Sequence, residues 1–251
     1  MNFKILLLLL FPLFSQSKEL KKEARLIKTE TKFAGKANSD YDRVVYFYYD
    51  KLGKPSNWIT KSNRGESKRT YVYKNNKPFQ LIYEDSSTAF NSLYEFEYDN
   101  NDRLVRVVLT RTSNNNLASE QATYGNWETE LVYNGNSIRT TSTSYSNGDT
   151  LFIVDDIHLD SESHFLYKEH IRGYANYQYP KKKYDNYKNP MISAHPKELH
   201  NYLECTPTNI LEVSEEELVY KYQYNKYGYP KTVEKYKSGK LVSTTIYTYK
   251  N

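Results

Sequence analysis

At 251 residues the chain is long enough to bury one large core, and its net charge of +5 is too mild and too scattered to indicate a nucleic-acid partner. A mean hydropathy of −0.83 would by itself suit a disordered polymer, but 27 tyrosines reverse that reading, because each ring carries about 150–250 Å² of surface that hydropathy scales undervalue for its phenol oxygen. The single cysteine, Cys205, excludes an internal disulfide and reads as a small buried or idle thiol.

The chain opens with one cation, Lys4, an apolar run from Ile5 to Phe14 and the polar stretch Ser15-Gln16-Ser17. That is the pattern of a secretory leader, and the run of about ten residues is half of what a membrane-spanning helix needs. Cleavage is expected after Ser17, or after Ser15 as the rival. Neither puts a cysteine first, so no lipid anchor is expected. The mature chain, 18–251, is expected to be one soluble domain without a transmembrane segment, in the periplasm, at the cell surface or outside the cell.

One unit then recurs: a strand of alternating aromatics, a turn of Asp, Asn, Gly and Lys, and a second strand. Val45-Tyr46-Phe47-Tyr48-Tyr49-Asp50-Lys51-Leu52-Gly53-Lys54-Pro55 is the first clear copy. Tyr71-Val72-Tyr73-Lys74-Asn75-Asn76-Lys77-Pro78 and Tyr94-Glu95-Phe96-Glu97-Tyr98-Asp99-Asn100-Asn101-Asp102-Arg103-Leu104 follow, roughly 25 residues apart. A weak copy surrounds Tyr133, and the cleanest is Tyr220-Lys221-Tyr222-Gln223-Tyr224-Asn225-Lys226-Tyr227-Gly228-Tyr229-Pro230. In that copy Tyr220, Tyr222 and Tyr224 share one strand face and Lys221 and Gln223 the other, so one face packs and one is wet. Asn75, Asn76, Gly53 and Gly228 suit turn positions with positive φ. Pro55, Pro78 and Pro230 suit strand starts, where no N–H is needed.

These motifs resemble the YD-repeat, or Rhs-like, pattern of tyrosine, aspartate, a turn glycine and a following Arg/Lys-Leu, best at Asp50-Lys51-Leu52-Gly53-Lys54 and at Tyr98 to Leu104. Over most of residues 25–251 the chain is also similar to a family of secreted bacterial proteins of unknown function with a porin-like barrel fold. Tyr184-Asp185-Asn186-Tyr187-Lys188-Asn189-Pro190 matches that family's aromatic-Asp…Asn-Pro signature. Two copies lack the turn glycine, and no catalytic residue is carried over from either family.

The middle of the chain is less regular. Leu151 to Leu159 alternates as a strand with Phe165 to Ile171 as its partner, and Pro196 to Leu203 has the apolar spacing of one short helix. The fold class is therefore all-β: repeated antiparallel tyrosine-rich hairpins forming one large curved sheet or a small β-barrel, with a helix near 196–203.

The most site-like cluster is Asp156, His158 and Asp160, which as a strand would share a face at about 6–7 Å intervals. The two carboxylates would then stand roughly 13 Å apart, too far for glycoside hydrolysis, and a wet strand face running into a turn explains them equally. His164, His170, His195 and His200 lack zinc-ligand spacing, no serine sits in a Gly-x-Ser-x-Gly setting, and no phosphate loop is present. No metal or cofactor is expected. Trp58 and Trp127 are candidate ligand-binding rings, as a platform or as part of the core. The run Lys181-Lys182-Lys183 reads as a lysine-guarded edge. Residues thus suggest a non-catalytic envelope or extracellular module contacting a glycan, cell wall or envelope protein. The alternatives are a polysaccharide hydrolase using Asp156, His158 and Asp160, or a carrier of an apolar ligand inside the barrel.

Overall fold

The computed structural model describes residues 24–86, 90–113, 126–146, 149–162, 164–173, 180 and 182–250. The leader expected over residues 1–17, and Lys181, lie outside them. Sixteen antiparallel strands form one sheet. They are β1 (Arg25–Phe33), β2 (Arg43–Tyr49), β3 (Pro55–Ser62), β4 (Gly65–Lys74), β5 (Lys77–Asp85), β6 (Phe90–Tyr98), β7 (Leu104–Ser113) and β8 (Asn126–Asn134). The rest are β9 (Ser137–Ser146), β10 (Asp149–Leu159), β11 (Phe165–Arg172), β12 (Lys182–Lys188), β13 (Thr208–Val213), β14 (Leu218–Tyr224), β15 (Pro230–Lys237) and β16 (Lys240–Lys250). Each strand pairs with its sequence neighbours except that β11 and β12 do not pair with each other, and β1 pairs with β16. The result is a nearly closed up-and-down barrel whose one seam falls between β11 and β12. Side chains span that seam: the Tyr184 hydroxyl donates to the Leu166 carbonyl at 3.3 Å, and Glu204 lies 3.3 Å from Lys168 and 4.0 Å from Lys182.

Alternation along the strands sorts the residues to two sides. Tyr71, Leu81, Phe96, Val107, Leu131, Ile138 and Ile157 occupy successive inward positions and form one buried cluster. Outward positions carry charge, paired across strands: Lys61 with Glu66, Lys68 with Glu84, Arg139 with Asp156, and Lys183 with Glu212. Arg106 joins Glu97 and Glu128 at 2.5 Å each.

The repeat has a physical basis at one end of the barrel. In each full turn an Asp or Asn side chain folds back to accept two backbone N–H groups. Asp50 takes Leu52 and Lys54, Asp99 takes Asn101 and Arg103, and Asn225 takes Tyr227 and Tyr229. Positive φ falls on Gly53 and Gly228, and on Asp102 where the glycine is replaced. A β-bulge follows at Tyr48/Tyr49, Val72/Tyr73, Glu97/Tyr98 and Gln223/Tyr224, adding the bend that a barrel wall needs.

Tyrosines at strand ends then tie the hairpins into a ring. Tyr49 donates to the Leu26 carbonyl, Tyr73 to Pro55, Tyr98 to Pro78, Tyr133 to Leu104 and Tyr249 to Pro230, over 2.6–3.0 Å. The residue before each of the first four acceptors is a cation over the same ring: Arg25 on Tyr49, Lys54 on Tyr73, Lys77 on Tyr98 and Arg103 on Tyr133. Ring, hydroxyl and neighbouring cation are thus all used. Each hydrogen bond contributes about 0.5–1.5 kcal/mol, and each cation contact about 0.5–1 kcal/mol.

The chain between β12 and β13 folds into the lumen from this same end as a plug. Leu199 is fully buried among residues of β4 to β11, and Ala194 packs on Leu26 and Phe47 of β1 and β2, so the plug crosses the interior. The helix expected over 196–203 is not formed. A 3-10 turn spans Lys197–Leu199, and the chain reverses at Glu204 with a φ of 54°. Its apolar residues face walls on several sides rather than one groove, so no helical stripe is imposed. Residues of the aromatic-Asp…Asn-Pro signature pin the plug. Asp185 accepts from the Tyr187 and Asn209 N–H groups, while Asn189 accepts from Met191 N–H and donates to the Thr206 carbonyl.

Candidate functional site

The plug fills the turn end and leaves a cavity of about 330 Å³ toward the opposite mouth. Inward side chains line it: Thr29 and Thr31 of β1, Arg43, Val45 and Phe47 of β2, Trp58 and Thr60 of β3, Arg69 of β4, and Thr245 and Tyr247 of β16. Met191 and His195 of the plug complete the lining. Register explains the convergence, since Thr29 pairs with Val45 and Tyr247, Val45 with Thr60, Phe47 with Trp58, and Trp58 with Arg69. A hollow of about 300 Å³ adjoins it, sharing Thr31 and Arg43 and lined also by Glu30, Lys32, Asp42 and Lys61.

Trp58 is the centre of the cavity's aromatic wall. Its ring meets His195 edge-on at 5.1 Å and Tyr71 at 5.6 Å. The Arg69 guanidinium lies 5.1 Å from the Trp58 ring and 4.5 Å from that of Tyr83. His195 Nδ1 is 3.1 Å from the Tyr71 hydroxyl. Burial lowers the His195 pKa to about 4, with the nearby His200 and Arg69 adding to the effect, so the ring is neutral at pH 7. Desolvation pushes the Tyr71 phenol well above its ordinary value. The site offers rings, hydroxyls and guanidinium groups, a set suited to holding a ligand.

Both tryptophans point inward, and they do not share a site. Trp127 lies on β8 between Leu109 and Ser144, half-buried, and is not among the residues lining the cavity. Asp156 and His158 project outward from β10. Arg139 holds Asp156 at 2.8 Å and keeps its pKa below the usual range, and His158 stacks on Tyr167 at 4.3 Å. Asp160 does not share their face, because β10 ends at Leu159. Its carboxylate accepts the Glu162 and His164 N–H groups, as Asp50 does in its turn. Leu159 to Phe165 is thus a further copy of the repeat turn, with a bulge at His158/Leu159. Asp-x-x-x-His in place of Asp-x-x-Gly-Lys was the signal that could have revealed it.

Among the described residues no three His, Cys, Asp or Glu side chains gather as a metal site. His170 and Lys168 instead surround the buried Asp155, at 2.9 and 3.4 Å. Burial raises the Cys205 thiol to about 12, which leaves it protonated and unreactive at neutral pH. Sequence reasoning missed Arg43, Arg69 and the plug residues Met191 and His195, which only the barrel's closure brings together.

Neither a family model nor a curated protein matches this chain. Among solved structures it is similar to a porin-like protein from Bacteroides vulgatus, 10% identical, with 91% of this chain and 99% of that one covered and a TM-score of 0.49. A second is a porin-like protein from Bacteroides uniformis, 13% identical over 90% of this chain and 96% of that one, with a TM-score of 0.34. The barrel described above rests on this chain's own strand pairing.

Proposed function

We propose that this chain is an exported, non-catalytic β-barrel of the envelope or extracellular space, which stands in water and holds a small ligand in its lumen. The carrying observation is the cavity beside Trp58, whose volume of about 330 Å³ falls at the lower end of ordinary ligand sites. Charged pairs on outward positions of β3 to β10 support a water-facing exterior. A barrel in lipid presents an apolar band about 25 Å tall there instead. The leader read from residues 1–17 supports export, and the resemblance to YD-repeat proteins agrees with a scaffold role.

The test follows Trp58 fluorescence in a Trp127→Phe background of the mature chain, titrated with benzoate, 3-phenylpropionate and 4-phenylbutyrate. Saturable change with at least one of them is expected. No change with any, in a folded protein, refutes the lumen site. A second reading, contact with a glycan or envelope protein, is favoured by the Tyr187–Tyr224 stack at 4.0 Å, with Tyr187 about half exposed. Cell-wall pull-down that is lost in Tyr187→Ala, and kept in Trp58→Phe, would support it over the lumen.

A further inference from the structure

Resting on the lumen reading, we infer that the cavity selects a small organic acid: an aromatic body against Trp58, with a carboxylate taken by Arg69. No Asp or Glu lines the cavity, while two arginines do. Among the described residues neither the Arg43 nor the Arg69 side chain forms a salt bridge or hydrogen bond. The contacts of Arg69 are the faces of Trp58 and Tyr83. Stacking on rings satisfies the guanidinium's π-face but leaves its N–H donors free, and their fork matches a carboxylate bidentately. Asp85 accepts from the Tyr83 hydroxyl at 2.5 Å and is not among the residues lining the cavity.

The remaining wall fixes the rest of the ligand. Trp58, Phe47 and Tyr247 provide rings, and Met191 an adaptable apolar floor. Thr31 and Thr245 are hydrogen-bonded to each other at 2.8 Å. His195 is neutral at pH 7 and so adds no charge that would favour a dianion. A cation was therefore left unpaired at a part-buried wall, where a matching anion is its natural complement.

Isothermal titration calorimetry on the mature chain tests this with matched probes: 3-phenylpropionate and 4-phenylbutyrate against their neutral primary amides. The acid is expected to bind at least tenfold more tightly than its amide and to weaken as salt rises. Arg69→Gln, checked for an unchanged circular dichroism spectrum, should bring the acid down to the amide's affinity without altering the amide. Equal affinity of acid and amide, or an Arg69→Gln protein that still prefers the acid, overturns the inference while leaving the lumen site standing. Failure of acids and amides alike to bind overturns both.

Discussion

Tyr73→Phe isolates one rung of the tyrosine ring. The change keeps the half-buried aromatic ring and the Lys54 ammonium 5.3 Å above it, and removes only the hydroxyl that donates to the Pro55 carbonyl at 2.6 Å. A net hydrogen bond contributes about 0.5–1.5 kcal/mol, and an acceptor left without that donor raises the cost toward about 1–3 kcal/mol. We take about 1.5 kcal/mol, which in a domain of this size lowers Tm by roughly 3–6 °C. Urea unfolding at pH 7 should show a lower midpoint with an unchanged slope, because the surface exposed on unfolding is the same. Tyr48→Phe is the control: Tyr48 projects outward from β2 at 45% exposure, so its change should stay within about 0.5 kcal/mol. If Tyr73→Phe costs no more than Tyr48→Phe, the phenol hydroxyls are not what joins the hairpins.

Other consequences follow from the same contacts. Asp50→Ala and Asp160→Ala should each cost about 1 kcal/mol by freeing two N–H groups, whereas Asp50→Asn should be nearly neutral, because Asn225 already fills that role; thermal denaturation separates the alanine variants from the asparagine one. Tyr184→Phe combined with Glu204→Gln removes the side chains spanning the seam, so hydrogen exchange measured by mass spectrometry should quicken in β11 and β12 but not in β1 and β16. In alkali, Tyr184, Tyr202 and Tyr247, which burial pushes up to about 12, should stay neutral after exposed tyrosines have ionised. Their raised folded pKa means a stability contribution complete below pH 10 and lost as pH rises toward 12. Absorbance at the tyrosinate band should therefore climb in two phases, the second coinciding with unfolding; a single phase centred near pH 10 would contradict the burial.

The wall of the barrel was legible in the sequence because hairpins are local. Tyr220, Tyr222 and Tyr224 two apart, then Asn225 and Gly228, specify face and turn within a dozen positions, and the observed pairing of β14 with β15 follows them. Closure was not legible, since it depends on β1 meeting β16, at opposite ends of the chain, and no local pattern encodes that pairing. The plug was misread for a related reason. Leu199, Tyr202 and Leu203 are spaced as on a helix, but they are buried by strands from across the barrel and need no common stripe. Trp58 was singled out as a ring of interest, while Arg69 looked like one more scattered cation. Its place in the site appears only when β3 and β4 set it beside Trp58 in a cavity that no Asp or Glu lines.

The location of the cavity has its own cause in the sequence. A sixteen-stranded barrel is wide enough to leave a channel unless something long fills it. At the turn end that filling is tyrosine together with the plug. Toward the other mouth the inward positions of β1, β3 and β16 are instead Thr29, Thr31, Thr60 and Thr245, short side chains that keep the β-branched preference of a strand yet reach only a little way inward. Exchange of tyrosine for threonine along the same strand face, as from Tyr247 to Thr245, therefore marks where packed interior gives way to open lumen. Trp58 and Arg69 stand at that boundary, where a large ring and a cation that has no salt-bridge partner among the described residues face space that the protein itself does not fill.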